Sequence, residues 1–203
     1  DELLVIKSKY GDERKTEIIS FYSDFTDEDL IPREDLIVTL SREGYAKTQS
    51  LDVYRSQRRG GTGKKATSFK EEDFISKLFV ANTHDTLLCF SSYGKVYWIK
   101  VYRLPRAGRN AKGRPIVNLL PLEKDERIQA VLPVNKFEED KFVFMATEQG
   151  TVKKTSLSAY SRPMKNGIKA IKLKENDKVV NVEITDGTKE IMLFSDAGKA
   201  IRF

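Results

Sequence analysis

This 203-residue sequence predicts an all-β, propeller-like array of repeated units with a short helical segment in front of it. Three observations lead there. Four segments share one pattern, "LIVTLSREGYAKT" (36–48), "LLCFSSYGKVYWI" (87–99), "FVFMATEQGTVKKT" (142–155) and "IMLFSDAGKAIRF" (191–203): an apolar run, Ser or Thr, two residues, Gly, and a second run. The turn glycines Gly44, Gly94, Gly150 and Gly198 are spaced by 50, 56 and 48 residues. A second glycine loop follows each of the first three, "RRGGTGKK", "RAGRNAKGRP" and "RPMKNGIKA", with 19, 19 and 17 residues from turn glycine to loop glycine. Strand-length runs joined by a short loop, with Gly where φ must be positive, read as β-hairpins with a type I turn and a bulge. A unit of about 50 residues made of short strands cannot bury its own apolar face, so it needs neighbours, as propeller blades do.

Residues 1–22 precede the array. Leu3, Ile6 and Tyr10 fall on one helical stripe and "DERKTEIISFY" continues after Gly11, which together predict a mostly helical segment. Residues 23–34, acidic and turn-rich with Pro32, read as a linker, and the array runs over 35–203. Strand alternation assigns Phe142, Phe144 and Trp98 to the core, with an exposed Trp98 beside the basic loop as the alternative. Cys89 in "LLCF" reads as a small buried core residue. Tyr93, Tyr97, Tyr102 and Tyr160 read as ordinary strand or turn residues. The fourth unit ends straight after its hairpin, so the array is expected to be cut at Phe203 with open edges.

Composition narrows the function. A net charge of +6 and a pI near 9.2 suggest an anionic partner. With one cysteine and one histidine, the chain has no internal disulfide and too few ligands for a Cys/His zinc site. No apolar run approaches the roughly 20 residues of a membrane-spanning helix, and the acidic start is no signal peptide. The expectation is a soluble, cytoplasmic chain.

The charge recurs with the repeat. Residues 35–70 carry +5, 95–114 carry +7 and 151–174 carry +7, the last two without any Asp or Glu, while the stretches between them are acidic. A single basic block is usually a solvated surface, but equivalent positions in stacked units fall on equivalent surfaces, so three in register predict a cationic stripe. Its members are Lys64 and Lys65 after the first hairpin; Lys95, Lys100, Arg103, Arg106, Arg109, Lys112 and Arg114 in the second unit; and Lys153, Lys154, Arg162, Lys165 and Lys169 in the third. Such a stripe suits duplex DNA without sequence reading, because Lys and Arg at phosphates release counterions and repeated contacts offset the cost of bending. Single-strand binding would need exposed aromatics for stacking.

Enzyme readings find little support. A phosphate loop of the form GxxxxGK[ST] would need glycine at Arg58 and a hydroxyl at Lys65. His84–Asp85 stands without an acidic cluster and reads as structural, and no nucleophile sits beside a base.

The segment "QRRGGTG" (57–63) resembles the seven-residue box of the gyrase A family of type II DNA topoisomerases. "EEDFISKLFVANTHDTLLCFSS", "GRPIVNLLPLEKDERI" and "FMATEQGTVKKT" are also similar to that family, so the resemblance spans essentially the whole chain. Gln57, Arg58, Arg59, Gly60, Gly61 and Gly63 match the box, while Thr62 stands where the family has Lys or Arg, with Lys64 and Lys65 available as substitutes. The resemblance implies a β-pinwheel of six blades, about four of them represented here, with strands exchanged between neighbouring blades and DNA bent around a basic rim. Residues 1–22 would be the tail of the DNA cleavage domain and 23–34 its tether to the wrapping domain. It further implies a non-catalytic part of DNA gyrase, an enzyme that introduces negative supercoils. The gyrase A chains would dimerise through an absent upstream domain and join two gyrase B chains, with ATP and Mg bound outside this segment. The alternatives are the corresponding chain of topoisomerase IV, which decatenates, and a kelch-like or WD-like protein-binding propeller.

Overall fold

The computed structural model describes residues 1–18, 26–54, 73–108 and 110–203, in two compact units, Asp1–Leu30 and Ile31–Phe203. In the first unit, helix α1 covers Glu2–Tyr10, and Gly11 closes it by donating its N–H to the Lys7 carbonyl at 2.8 Å. Residues 11–18, expected as further helix, carry no regular structure. A nine-residue helix with no buried residue has no packed face to propagate from.

The second unit consists of strands β1 (Asp35–Ser41), β2 (Tyr45–Ser50), β3 (Ile75–Asn82), β4 (Thr86–Ser91), β5 (Lys95–Lys100), β6 (Arg114–Pro115), β7 (Ile128–Val134), β8 (Phe142–Thr147), β9 (Val152–Ser156), β10 (Ile168–Lys169), β11 (Val179–Thr185), β12 (Met192–Phe194) and β13 (Ala200–Arg202). All four expected hairpins form, as β1–β2, β4–β5, β8–β9 and β12–β13. Their shared sequence pattern has one physical cause. In each turn the glycine N–H donates to the carbonyl of the Ser or Thr three residues earlier, at 3.0–3.1 Å. The hydroxyl of that same residue accepts the next N–H, from Tyr45, Lys95, Thr151 or Lys199, at 3.0–3.3 Å. Such a turn needs a left-handed residue at its end, and the four glycines have φ between +72° and +86°.

The first two blades are completed by strands from the following repeat. The sheets run β3-β1-β2-β6, β10-β5-β4-β7, β11-β8-β9 and β12-β13. Thus β6, which lies beyond the second hairpin in sequence, pairs with β2 of the first, and β10, beyond the third, pairs with β5 of the second. This is the strand exchange of a pinwheel. On the other side, β3, β7 and β11 pair antiparallel with the first hairpin strands, each bulged by one residue, Ser76, Gln129 or Val180, next to the pair made by the Ser or Thr that opens the turn. A bulge there bends the third strand near its start and sharpens its twist.

Two apolar cores form between successive blades. One gathers Leu36, Val38, Leu40 and Ala46 of the first with Leu87, Cys89, Tyr97 and Ile99 of the second; the other gathers Leu88, Phe90 and Val96 of the second with Val143, Met145 and Val182 of the third. Strands buried on both faces read as continuous apolar runs, which is why "LLCF" does not alternate. Alternation does hold in β8, but in the opposite sense to that expected. Val143 and Met145 are buried, whereas Phe142 and Phe144 are half-buried, beside Lys154 and Phe203 respectively. Where β3 has no blade on its far side among the described residues, Leu78 and Val80 are each 51% exposed.

Carboxylates tie the turns to the third strands. Asp73 Oδ1 accepts the Glu43 N–H at 3.1 Å, and Asp177 Oδ1 accepts the Gln149 and Lys178 N–H groups at 3.0 and 2.9 Å. Burial alone would raise the Asp177 carboxyl, but these N–H groups, the Thr147 hydroxyl and the Lys174 charge outweigh it and hold it below the usual carboxylate range. A depressed carboxyl stabilises the fold at pH above its unfolded value and loses that contribution as pH falls through its folded value. Asp177→Asn should therefore flatten the acid limb of the denaturant midpoint measured against pH below about pH 4. A second expectation separates two glycines. Gly150→Ala, with φ +78° and open space around it, should cost about 1–2 kcal/mol, the strain of a left-handed residue alone. Gly113→Ala, whose Cβ would lie 2.3 Å from the Ala46 carbonyl oxygen, should cost clearly more in urea unfolding.

Candidate nucleic-acid interface

Among the described residues β2, β5 and β9 each end in a 3₁₀ turn, and after the last two the chain crosses to the preceding blade. In the second unit the turn is Val101–Arg103 and the crossing reaches β6; in the third it is Leu157–Tyr160 and the crossing reaches β10. The landing is the same in both. The Ile116 N–H donates to the Gly44 carbonyl at 2.8 Å, and the Ala170 N–H donates to the Gly94 carbonyl at 2.8 Å. Gly113 and Gly167 have φ of +88° and +69°, and a Cβ on Gly167 would come within 2.7 Å of the Tyr97 ring. No side chain fits between loop and strand at either site. The two basic loops consequently run along equivalent edges of successive blades.

The third basic loop, with Gln57, Arg58, Arg59, Gly60, Gly61, Thr62, Gly63, Lys64 and Lys65, lies outside the described residues, as does Arg109. Among the remaining sequence-predicted cations, Arg103, Arg106, Arg114, Lys153, Lys154, Arg162, Lys165 and Lys169 are exposed, and Lys95, Lys100 and Lys112 are half-buried. Several heads are held by the protein. Lys95 pairs with Glu123, and that hydrogen bond pushes its ammonium pKa up. The pair also relieves Lys95 from Lys169, which stands directly opposite it across the β5–β10 ladder. Arg106 lies 2.5 Å from Glu34, Lys100 donates to the His84 carbonyl at 3.0 Å, Lys153 donates to the Ala170 carbonyl at 2.6 Å, and Lys154 sits 4.4 Å from the Phe142 ring centroid. Arg103, Arg114, Arg162, Lys165 and Lys169 form the exposed cationic edge.

A cavity of about 540 Å³ opens between the crossings of the second and third units, lined by Trp98, Leu119, Pro121, Met164, Arg103 and Lys165 among others. Trp98 is half-buried there, its indole N–H donating to the Tyr160 carbonyl at 2.8 Å. It serves as a wedge between blades, neither a core residue nor an exposed stacking platform.

The groups weighed for catalysis are structural. His84 Nε2 bonds the Ile31 carbonyl at 2.8 Å, and Asp85 takes the Asn82 N–H and the Asn135 amide, both at 2.8 Å. Cys89 is fully buried, which pushes its thiol up to about 12 and leaves little thiolate near neutral pH. Sequence reasoning missed three features. Tyr97 is a buried residue whose hydroxyl donates to the buried Glu126 carboxylate at 2.9 Å. The acidic residues Asp73 and Asp177 recur two positions before β3 and β11, a signal visible in "EEDFI" and "ENDKV". Lys47 is buried at 2% exposure within β2, and a lone lysine in a polar-looking strand carries no sign of that.

A family model described as "DNA gyrase C-terminal domain, beta-propeller" matches residues 35–82, 85–135, 141–186 and 189–203. The chain belongs to this family. The four matched segments coincide with the four repeats. The gyrase A protein of Aeromonas salmonicida is 62% identical over 203 residues, which is all of this chain and 22% of that relative, so the chain spans about a fifth of its length. Among solved structures, the C-terminal domain of DNA topoisomerase IV is similar at a TM-score of 0.72 and 33% identity, over 85% of this chain and 52% of that one. The DNA gyrase A C-terminal domain is similar at 0.62 and 26%, over 83% and 54%. The fold is thus a mostly β, propeller-like pinwheel. Among the described residues no helix is long and apolar enough to cross a membrane.

Proposed function

We propose that this chain binds duplex DNA without sequence preference and bends it around its cationic edge, as the wrapping part of an ATP-dependent DNA gyrase that introduces negative supercoils. The observation that carries this reading is the repeated crossing: two loops rich in Lys and Arg end on equivalent carbonyls, those of Gly44 and Gly94, of successive blades. A curved series of such loops meets phosphates at a regular interval, and each neutralised phosphate releases counterions. The contacts are assigned to the exposed edge and to the box, with Arg58 and Arg59 reaching phosphates and Thr62 leaving one cation fewer than the family pattern.

On this reading residues 1–22 end the cleavage domain, 23–34 tether it, and 35–203 form part of the wrapping domain. The box joins the first blade to the last, just as Gly113 and Gly167 join their loops to the blades before them. The full-length gyrase A protein works as a dimer with two gyrase B chains in the cytoplasm, and ATP and Mg are bound outside this segment. Supercoiling is preferred to the decatenation of topoisomerase IV because the box is nearly intact and the 62% identical relative is a gyrase A protein.

Log Kd plotted against log salt should be linear, with a slope of about 0.9 per phosphate contact. A flat plot, as a protein-binding propeller would give, overturns the reading. Replacing Arg58 and Arg59 with Ala should reduce the linking-number change on a relaxed circle while circular dichroism stays that of the folded protein. Unchanged writhe in that variant would remove the box from the interface.

A further inference from the structure

Lys47 lies in β2, three residues after the turn glycine, with 2% of its surface exposed. A buried ammonium is costly unless its donors are met. Here backbone carbonyls meet two of them. Lys47 Nζ donates to the Ala111 carbonyl at 2.8 Å and to the Gly108 carbonyl at 3.2 Å, both in the basic loop arriving from the second unit. Burial lowers the pKa of this ammonium, as expected for a charge withdrawn from water.

The same loop is gripped on either side of these bonds. Before them, the Thr48 N–H donates to the Pro105 carbonyl at 2.9 Å and the Ala107 N–H to the Thr48 carbonyl at 3.1 Å. After them, Gly113 is pressed against Ala46. Between them the Ala111 N–H donates to the Gly108 carbonyl at 3.2 Å, and Lys47 Nζ bonds the carbonyls of both residues. The third repeat also has a lysine at this position, Lys153, but it is exposed and donates to the Ala170 carbonyl of its own unit's crossing at 2.6 Å.

We propose that Lys47 is a positioning residue for the DNA-binding edge: it holds the loop by the carbonyls of Gly108 and Ala111, keeping Arg106, Lys112 and Arg114 in line, and its own charge meets no phosphate. This rests on the DNA-wrapping reading above. It also separates two jobs for cations that composition alone merges, since Lys47 belongs to a basic block yet faces inward.

The test compares Lys47→Met and Lys47→Gln in the full-length protein that carries this chain. Both remove the charge; Gln keeps an N–H donor one bond shorter, and Met keeps only the apolar stem. Amide exchange over residues 107–113 should quicken at least tenfold in Lys47→Met and recover in part in Lys47→Gln, and linking-number change should follow the same order. The salt slope of Lys47→Gln should equal that of the wild type. A slope lower by about 0.9 in Lys47→Gln, with wrapping as poor as in Lys47→Met, would make Lys47 a phosphate contact and overturn the proposal. Wild-type exchange rates in Lys47→Met would overturn it as well. If Lys47→Met fails to fold, the exchange and slope of Lys47→Gln decide alone. A flat salt plot in the wild type would instead overturn the DNA reading, and the exchange data would still show whether Lys47 holds the loop.

Discussion

The structure depends on one recurring hydrogen bond: the chain arriving from the next repeat donates an N–H to the carbonyl of the preceding hairpin's turn glycine, Ile116 to Gly44 and Ala170 to Gly94. A carbonyl at that point is available only because the glycine is left-handed, which turns its peptide outward at the end of the hairpin. Once the bond is made, β6 and β10 fall into register on the outer edges of β2 and β5. Each of these two blades then has a strand it did not encode, and an edge that would otherwise be a template for another chain is paired.

This latch couples packing to charge. Bringing the blades together closes the two interblade cores, and the non-directional gain from burying Leu, Val, Phe and Tyr side chains supplies the stabilisation. The latch supplies the register. Because the crossings that deliver β6 and β10 are also the basic segments, the event that completes a blade puts cations on its edge. Fold and binding surface are one feature here, and a change that loosens the crossing affects both.

Within that edge the lysines and arginines do not act alike. Arg103, Arg114, Arg162, Lys165 and Lys169 are exposed, while Lys95, Lys100, Arg106, Lys153 and Lys154 have their heads on Glu123, the His84 carbonyl, Glu34, the Ala170 carbonyl and the Phe142 ring. An exposed ion pair of the Arg106–Glu34 kind is worth little in water and is readily exchanged for a phosphate. The buried Lys47, bonded to the Gly108 and Ala111 carbonyls, is not, because its ammonium is withdrawn from the surface.

The hairpins, their turns and the period are written in the chain itself. These features are local: a Ser or Thr hydroxyl, two residues and a glycine close the turn within five residues, and an apolar run on each side needs no distant information. The basic blocks are equally plain there, and the resemblance in "QRRGGTG" pointed to the family that the matched segments later bore out. What each side chain faces was settled by packing. Val143 and Met145 rather than Phe142 and Phe144 became core, Trp98 became a wedge, Tyr97 found Glu126, and Lys47 went inward. Each outcome depends on which blade packs against which face, and those contacts join residues far apart in the chain. The alternation of a strand states that its two faces differ, and the neighbouring blade chooses which of them is buried.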